Sequence, residues 1–242
     1  MKILKFFLVL IHLLVIVLLL GTLLNDVVQP KTFAWLNLLS LAFPVLMIFN
    51  VGCCIFWIIL RKKRALFFLL VSAVFINPVR RWVNFTEKVS EKPNLKIVTM
   101  NIKTGAMGRE KIYDFLKNTD ADIIIGQEYG TEFNVPGYLY RTDQYEIVAL
   151  NSKTEMINQQ KLTTVGNGNS FFADIKFKGK IIRVINAYLN PFSFEKAKVK
   201  PTEDLETNKT KALYILKRLI PTFKIHQQEV SDIRKAIDDS PY

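Results

Sequence analysis

The sequence predicts an α/β domain set behind a group of N-terminal transmembrane helices. Two features carry this expectation. Residues 1–84 contain three long runs without a formal charge, at 6–24, 33–60 and 65–79. Residues 95–242 instead alternate apolar runs of strand length with stretches of helical period. The same division explains a composition that is half hydrophobic with a mean hydropathy of +0.19, high for a chain with no membrane segment.

The net charge of +12 divides along the same line. Residues 1–84 hold nine of the 33 Lys and Arg and one of the 21 acids, leaving 24 cations against 20 acids for the remainder. Most of the basic excess therefore flanks apolar segments, where it orients them in a bilayer, and total charge gives no argument for nucleic acid. The two cysteines, Cys53 and Cys54, are adjacent and lie inside an apolar run, which fits neither a disulfide scaffold nor a metal-ligand spacing.

Residues 6–24 are just long enough for a helix across a ~30 Å hydrocarbon core. A cleaved signal peptide fits less well, because the apolar run exceeds a usual h-region and no A-x-A-like site follows. The second run, 33–60, contains Pro44 and Asn50, which predict a kink and a polar contact with a neighbouring helix. Arg61-Lys62-Lys63-Arg64 ends it, and the third run, 65–79, carries Asn77 and Pro78 before Arg80-Arg81. Lys2, Lys5 and the tetrabasic stretch predict a cytoplasmic N-terminus and, if the third run crosses, a C-terminal domain outside the cytoplasm. Arg80 and Arg81 oppose that orientation. His12, alone in an apolar helix, is read as a packing residue.

Residues 85–94 form a polar linker to the second domain, 95–242. LKIVTM (95–100) reads as a strand ending at Asn101, followed by a Gly105/Gly108 loop and a helix through Ile112, Phe115 and Leu116. A second strand, 123–126, ends at Gln127-Glu128. Strand, helix and strand in that order put both carboxyl ends on one sheet edge, bringing Asn101 and Glu128 together where open α/β sheets hold ligands. Further strands are expected at 145–151, 171–177 and 181–189, the last two joined by a Lys178-Gly179-Lys180 turn. The segment 194–208 is read as loop or frayed helix. A helix at 212–220 stopped by Pro221 and a second one running to Asp239 complete the expectation.

The run TMN (99–101), then ADIIIGQEYG (121–130), ALNSK (149–153) and NAYLN (186–190), resembles the endonuclease/exonuclease/phosphatase superfamily over about residues 95–242. With its apolar leader, the chain is similar to a membrane-anchored bacterial branch. The resemblance implies the first part of a four-layered α/β sandwich, two mixed sheets flanked by helices, in a multi-pass protein of the bacterial inner membrane. It implies a phosphoester or phosphodiester hydrolase using Mg²⁺ or Mn²⁺, with Glu128 and Asn101 at the metal and Asn101 and Tyr188 in catalysis. Mg²⁺ needs only one or two carboxylates, since waters and a substrate phosphate complete its shell. The expected partners are the lipid bilayer and a phosphate ester, either a lipid head group or nucleic acid; no feature points to a specific protein partner.

Two departures qualify these expectations. Lys103 stands where relatives acting on damaged DNA carry an Asp, which weakens a repair role. The later G-D-x-N and S-D-H motifs, sources of the water-activating Asp, its partner Asn and the catalytic His, do not occur before Tyr242. The resemblance thus implies a chain truncated before those motifs and not competent for turnover alone, His226 being on a helix and remote in sequence from the strand ends. The alternatives are a non-catalytic membrane-tethered interaction module and a nuclease facing the cytoplasm.

Overall fold

The computed structural model describes residues 2–83, 92–106, 108–128, 134–143, 145–162 and 168–242. Its chain falls into two compact units, Met1–Ser90 and Glu91–Tyr242. Most of the linker expected at 85–94, and residues 129–130 of the Gln-Glu motif, lie outside the described residues.

In the first unit, α1 (Lys2–Leu23) is followed by the short α2 (Pro30–Phe33), then α3 (Trp35–Leu41), α4 (Phe43–Ile59), α5 (Arg64–Ser72) and α6 (Ile76–Arg80). Among the described residues one helix, Ile3–Asp26, is long and apolar enough to cross a membrane, and a second qualifies if the pair α3–α4, bent by 54°, counts as one span. Three continuous spans at 6–24, 33–60 and 65–79 are therefore not what forms. Pro44 sits in the first turn of α4, where its missing N–H costs no helical bond, so a new helix starts there in a new direction. The third run breaks at a 3₁₀ turn, Ala73–Phe75, where Pro78 has no N–H for the Val74 carbonyl four residues earlier and its ring crowds that carbonyl. Even so, α5 and α6 run back along α1. Phe68 and Ala65 share a core with Ile16, Cys54 and Trp57, with Leu8 and Val9 against it. Phe75 joins Val15, Leu19 and Phe43, with Leu23 and Val79 against it.

A buried polar network ties α1, α4 and α5 together. Trp57 Nε1 donates to His12 Nδ1 at 3.1 Å, so His12 carries its proton on Nε2 and donates it to Asn50 Oδ1 at 3.0 Å. Asn50 Nδ2 donates in turn to Ser72 Oγ at 2.8 Å, Ser72 donates to the Phe68 carbonyl, and the Phe68 ring stacks on the imidazole. Buried hydrogen bonds of this kind contribute about 0.5–1.5 kcal/mol each. His12→Leu removes two and leaves Trp57 N–H and the Asn50 oxygen unpaired, so an expected loss of about 1–3 kcal/mol should appear in detergent-induced unfolding followed by Trp fluorescence.

The second unit begins with β1 (Ile97–Asn101), α7 (Arg109–Thr119), β2 (Ile123–Gln127), β3 (Tyr140–Arg141) and β4 (Val148–Ser152). These strands form a sheet in the order β1-β2-β4-β3, with β1 and β2 parallel and Asn101 opposite Gln127. Next come β5 (Met156–Lys161), β6 (Asn169–Phe177) and β7 (Lys180–Tyr188), an antiparallel sheet in sequence order. The β6–β7 hairpin turns through Lys178 and Gly179, both at positive φ. The unit is thus mixed α/β with two sheets and helices. One face of the first sheet buries Ile124 and Ala149 against Ile112 and Leu116 of α7. Its other face buries Ile123, Ile125, Val148 and Leu150 against Phe171, Ala173, Ile175 and Val184 of the second sheet. Alternation along β6 and β7 turns Asp174 and Arg183 to the far face, where Arg183 Nη1 donates to the Ala236 carbonyl at 3.0 Å.

That carbonyl belongs to the last turn of α9 (Leu205–Asp238), which follows the short α8 (Lys196–Val199). Two helices separated at Pro221 were expected; one helix of 34 residues forms with Pro221 inside it. Leu219, Thr222 and Phe223 are buried on either side of the proline, and this packing outweighs the lost hydrogen bond. Asp204 begins the helix by accepting the Thr207 N–H at 2.7 Å.

Candidate functional site

The parallel pairing of β1 and β2 delivers Asn101 and Glu128 to one sheet edge, and β7 brings Tyr188 to the same place from the second sheet. Asn101 Nδ2 donates to Glu128 Oε1 at 2.9 Å, and the Tyr188 hydroxyl donates to the same oxygen at 3.3 Å. The second carboxylate oxygen, Oε2, has no hydrogen bond among the described residues. Asn101 is held from its other end, its Oδ1 accepting the Lys103 N–H at 3.0 Å, which fixes the amide with nitrogen towards Glu128.

The backbone around this carboxylate is strained. Glu128, Lys103 and Thr104 all sit in the left-handed region, at φ of 49°, 48° and 55°. Such conformations cost non-glycine residues about 1–3 kcal/mol each and persist where the surroundings over-determine them. Here Thr104 N–H donates to the Glu128 carbonyl and Ile102 N–H to the Gln127 carbonyl, each at 2.9 Å, so the two strand ends lock each other. The arrangement turns the Glu128 side chain off the end of the strand and towards Tyr188.

Asn186, named in the sequence only as part of NAYLN, is buried between the sheets. Its Nδ2 donates to the Gly126 carbonyl at 3.0 Å and to the Ala149 carbonyl at 3.3 Å, and its Oδ1 accepts Gln127 Nε2 at 3.0 Å. One side chain on β7 therefore ties β2 and β4 together immediately before Glu128. An Asn inside an apolar strand was the available signal for this role.

His226, set aside in the sequence for its place on a helix, is carried by α9 to the end of β7. Its Nε2 lies 2.6 Å from the Asn190 carbonyl, and Glu229 accepts the Asn190 N–H with both oxygens at 3.1 and 3.0 Å. Burial pushes the Glu229 carboxyl up, while the Asn190 N–H and His226 draw it back in part. A methyl group at Gly168 would fall 1.7 Å from Glu229 Oε1, so only glycine fits under this clasp. His226 does not contact Glu128 and belongs to the support of the segment after β7. Lys153 of ALNSK pairs instead with Asp120, at the end of α7.

The electrostatics follow from the geometry. Burial raises the Tyr188 phenol above its ordinary range, and the Glu128 charge and hydrogen bond raise it further, so Tyr188 stays a neutral donor at physiological pH. Among the described residues no group of three or more His, Cys, Asp or Glu side chains could hold a metal. One carboxylate with an open oxygen is nevertheless the kind of single charged oxygen ligand that Mg²⁺ accepts, with water filling the remaining positions, whereas the Asn101 amide presents its nitrogen to Glu128 and its oxygen to the Lys103 N–H. The residues fit a hard divalent cation and not a thiolate- or imidazole-bound metal.

Comparison with known proteins adds little beyond this geometry. Residues 4–82 match the family model described as a domain of unknown function, DUF8431. No curated protein matches the chain. Among solved structures, a humanised D. rerio TDP2 carrying 14 mutations is similar at 15% identity and a TM-score of 0.34. The likeness covers 50% of this chain and 54% of that one, so the chain spans about half the length of that protein.

Proposed function

We propose that Asn101, Glu128 and Tyr188 form a centre for Mg²⁺ (or Mn²⁺) and the phosphate of an ester, in a membrane-anchored phosphoester hydrolase of the endonuclease/exonuclease/phosphatase type. The observation that carries this reading is the Glu128 carboxylate, with Oε1 held by donors from two sheets and Oε2 left open. The chemistry a bound cation supplies is polarisation of a phosphoryl oxygen and neutralisation of the charge that develops on attack by water. Asn101 orients the carboxylate, and Tyr188 remains protonated to donate to a non-bridging phosphate oxygen. Gln127 and Asn186 fix the strand end that carries Glu128. No imidazole or second carboxylate contacts Glu128 among the described residues, so these residues support binding of metal and phosphate more directly than proton transfer from water.

A cation at Glu128 offsets the negative charge that raises Tyr188. Added Mg²⁺ is therefore expected to lower the Tyr188 ionisation midpoint, read as the ultraviolet difference between the chain and its Tyr188→Phe variant during alkaline titration. An unchanged midpoint at millimolar Mg²⁺ would remove the basis for the centre.

The membrane reading is part of the same proposal. Lys2, Lys5 and the turn Arg61–Arg64 belong on the cytoplasmic side by the positive-inside rule. The return of α5–α6 along α1, which brings Arg81 within 3.9 Å of Asp26, supports a third, broken pass and an extracytoplasmic second unit. An alkaline phosphatase fusion after Tyr242 should be active, whereas a fluorescent fusion that lights up there would assign the second unit to the cytoplasm.

A further inference from the structure

Beyond the Glu128 centre, the segment after β7 and the middle of α9 line a separate cavity of about 430 Å³ that is open to solvent. Phe192 and Ser193 line one wall, and Lys217, Arg218 and Pro221 line the other. We propose that this cavity is a binding site for a phosphate-class anion carried on an organic group.

The charge on its helical wall selects the sign of the ligand. Residues 209–224 contain Lys209, Lys211, Lys217, Arg218 and Lys224 and no acid. Lys217 and Arg218 are exposed and join no ion pair among the described residues; the nearest ring to the Arg218 guanidinium is Tyr214, 5.7 Å away. Lys209 is paired with Glu206 at 3.8 Å and Lys211 donates to the Lys200 carbonyl, but Lys217 and Arg218, the two cations lining the cavity, are adjacent like charges, and an anion between them relieves their repulsion. The pairing of a forked guanidinium with a compact ammonium suits phosphate, which offers several acceptor oxygens in a tetrahedron.

The opposite wall is rigid and partly apolar, which argues for an organic ester over a bare ion. Phe192 stacks on Phe194 at 5.8 Å with 13° between the planes, and its ring meets Phe223 and His226 edge-on. The backbone below is gripped at Asn190 by Glu229 and His226 from α9 itself, so the two walls are fastened to each other. A cavity held open in this manner costs little to organise on binding. The site does not depend on the Glu128 reading, because it shares no side chain with that centre. If both hold, Asn190 lies two residues beyond Tyr188, roughly 7 Å along an extended chain, within reach of a second anionic group on one substrate.

The test uses the full chain in uncharged detergent, with EDTA present, titrated with phenyl phosphate by isothermal calorimetry. Saturable binding is expected to weaken about tenfold or more in a Lys217→Gln/Arg218→Gln variant and to survive Lys217→Arg. Both cations are exposed, and circular dichroism of the double variant checks that its fold is intact. Equal binding by the double variant, or no saturable binding by the parent chain, overturns the proposal. Loss in Glu128→Gln alone would assign the phosphate to that centre and overturn it equally. Repeating the titration in phosphatidylcholine nanodiscs with and without phosphatidylglycerol separates the sources. Competition by the anionic lipid, itself lost in the double variant, identifies a head group as the ligand; absence of competition identifies a free phosphate ester.

Discussion

On the proposed Glu128 centre, Glu128→Gln is expected to weaken Mg²⁺ binding by about a hundredfold or more while leaving the fold in place. The glutamine keeps an oxygen that can accept from Asn101 and Tyr188 but removes the one formal negative charge of the centre, and a hard cation sheds water only for charged or strongly polar oxygen. The same substitution lowers the Tyr188 ionisation midpoint in the absence of metal, because the charge that helps to raise it is gone. A companion variant separates chemistry from folding. Glu128 occupies a left-handed conformation at φ 49°, which glycine adopts without steric cost. Glu128→Gly should therefore lose the metal as completely as Glu128→Gln yet unfold at an equal or higher temperature, an inversion typical of residues retained for a site. Calorimetric Mg²⁺ titration and thermal melts of the three chains read both effects. Undiminished Mg²⁺ affinity in Glu128→Gln would exclude this carboxylate as the ligand.

Removing Asp174 is expected to be the most damaging single change in the second unit. Its carboxylate is almost fully buried and receives Arg183 in a fork, Nε at 2.7 Å and Nη2 at 2.9 Å, together with Asn158 Nδ2 at 3.1 Å. The guanidinium lies 3.9 Å from the centre of the Phe172 ring and spends its remaining edge on the Ala236 carbonyl near the end of α9. Asp174→Ala strands a charge in that setting, and breaking a buried pair in this way typically costs about 3–5 kcal/mol. The loss should shift the urea midpoint without changing the slope. Asp174→Leu combined with Arg183→Met should recover much of it, since apolar residues of similar size often replace a buried pair at little cost. A double variant no more stable than Asp174→Ala would mean that the Arg183 contact with α9, and not the pair itself, holds the second sheet to its helix.

The parts of this structure that were legible in the sequence share one property: local pattern and tertiary role agree. Ile123–Gln127 is so apolar that only a central strand suits it, and the intervening helix forces it parallel to Ile97–Asn101. The meeting of Asn101 with Glu128 follows from that alone. What was not legible depends on partners remote in sequence. Met156–Lys161 is polar along most of its length and becomes a strand through its pairing with Asn169–Phe177. Tyr140–Arg141 is two residues long and exists as a strand only against Val148–Ser152. Pro221 reads as a stop because a proline usually is one, and only the burial of Leu219 and Phe223 overrules it. That same continuation of the helix is what carries His226 to Asn190, so one misjudged proline hid both the helix and the clasp. In the first unit, the apolar runs advertise helices but not their breaks. Whether a run of 15 residues with a late proline stays straight depends on Phe68 and Phe75 finding pockets beside α1.

The two sheets have a further consequence for how the second unit assembles. The first is drawn wholly from residues 97–152 and the second wholly from residues 156–188, with no strand exchanged between them. Each can zip up from neighbours in the chain, and loop-closure entropy is concentrated in a single late encounter between two prepared surfaces. Asn186 would report that encounter, since its amide leaves water only when the carbonyls of Gly126 and Ala149 arrive to receive it. Before docking, the polar side chain opposes collapse of its own sheet onto any surface lacking those acceptors. In kinetic terms it is a proofreading contact, and Asn186→Leu should allow early, misaligned docking that appears as a populated intermediate and a curved refolding limb.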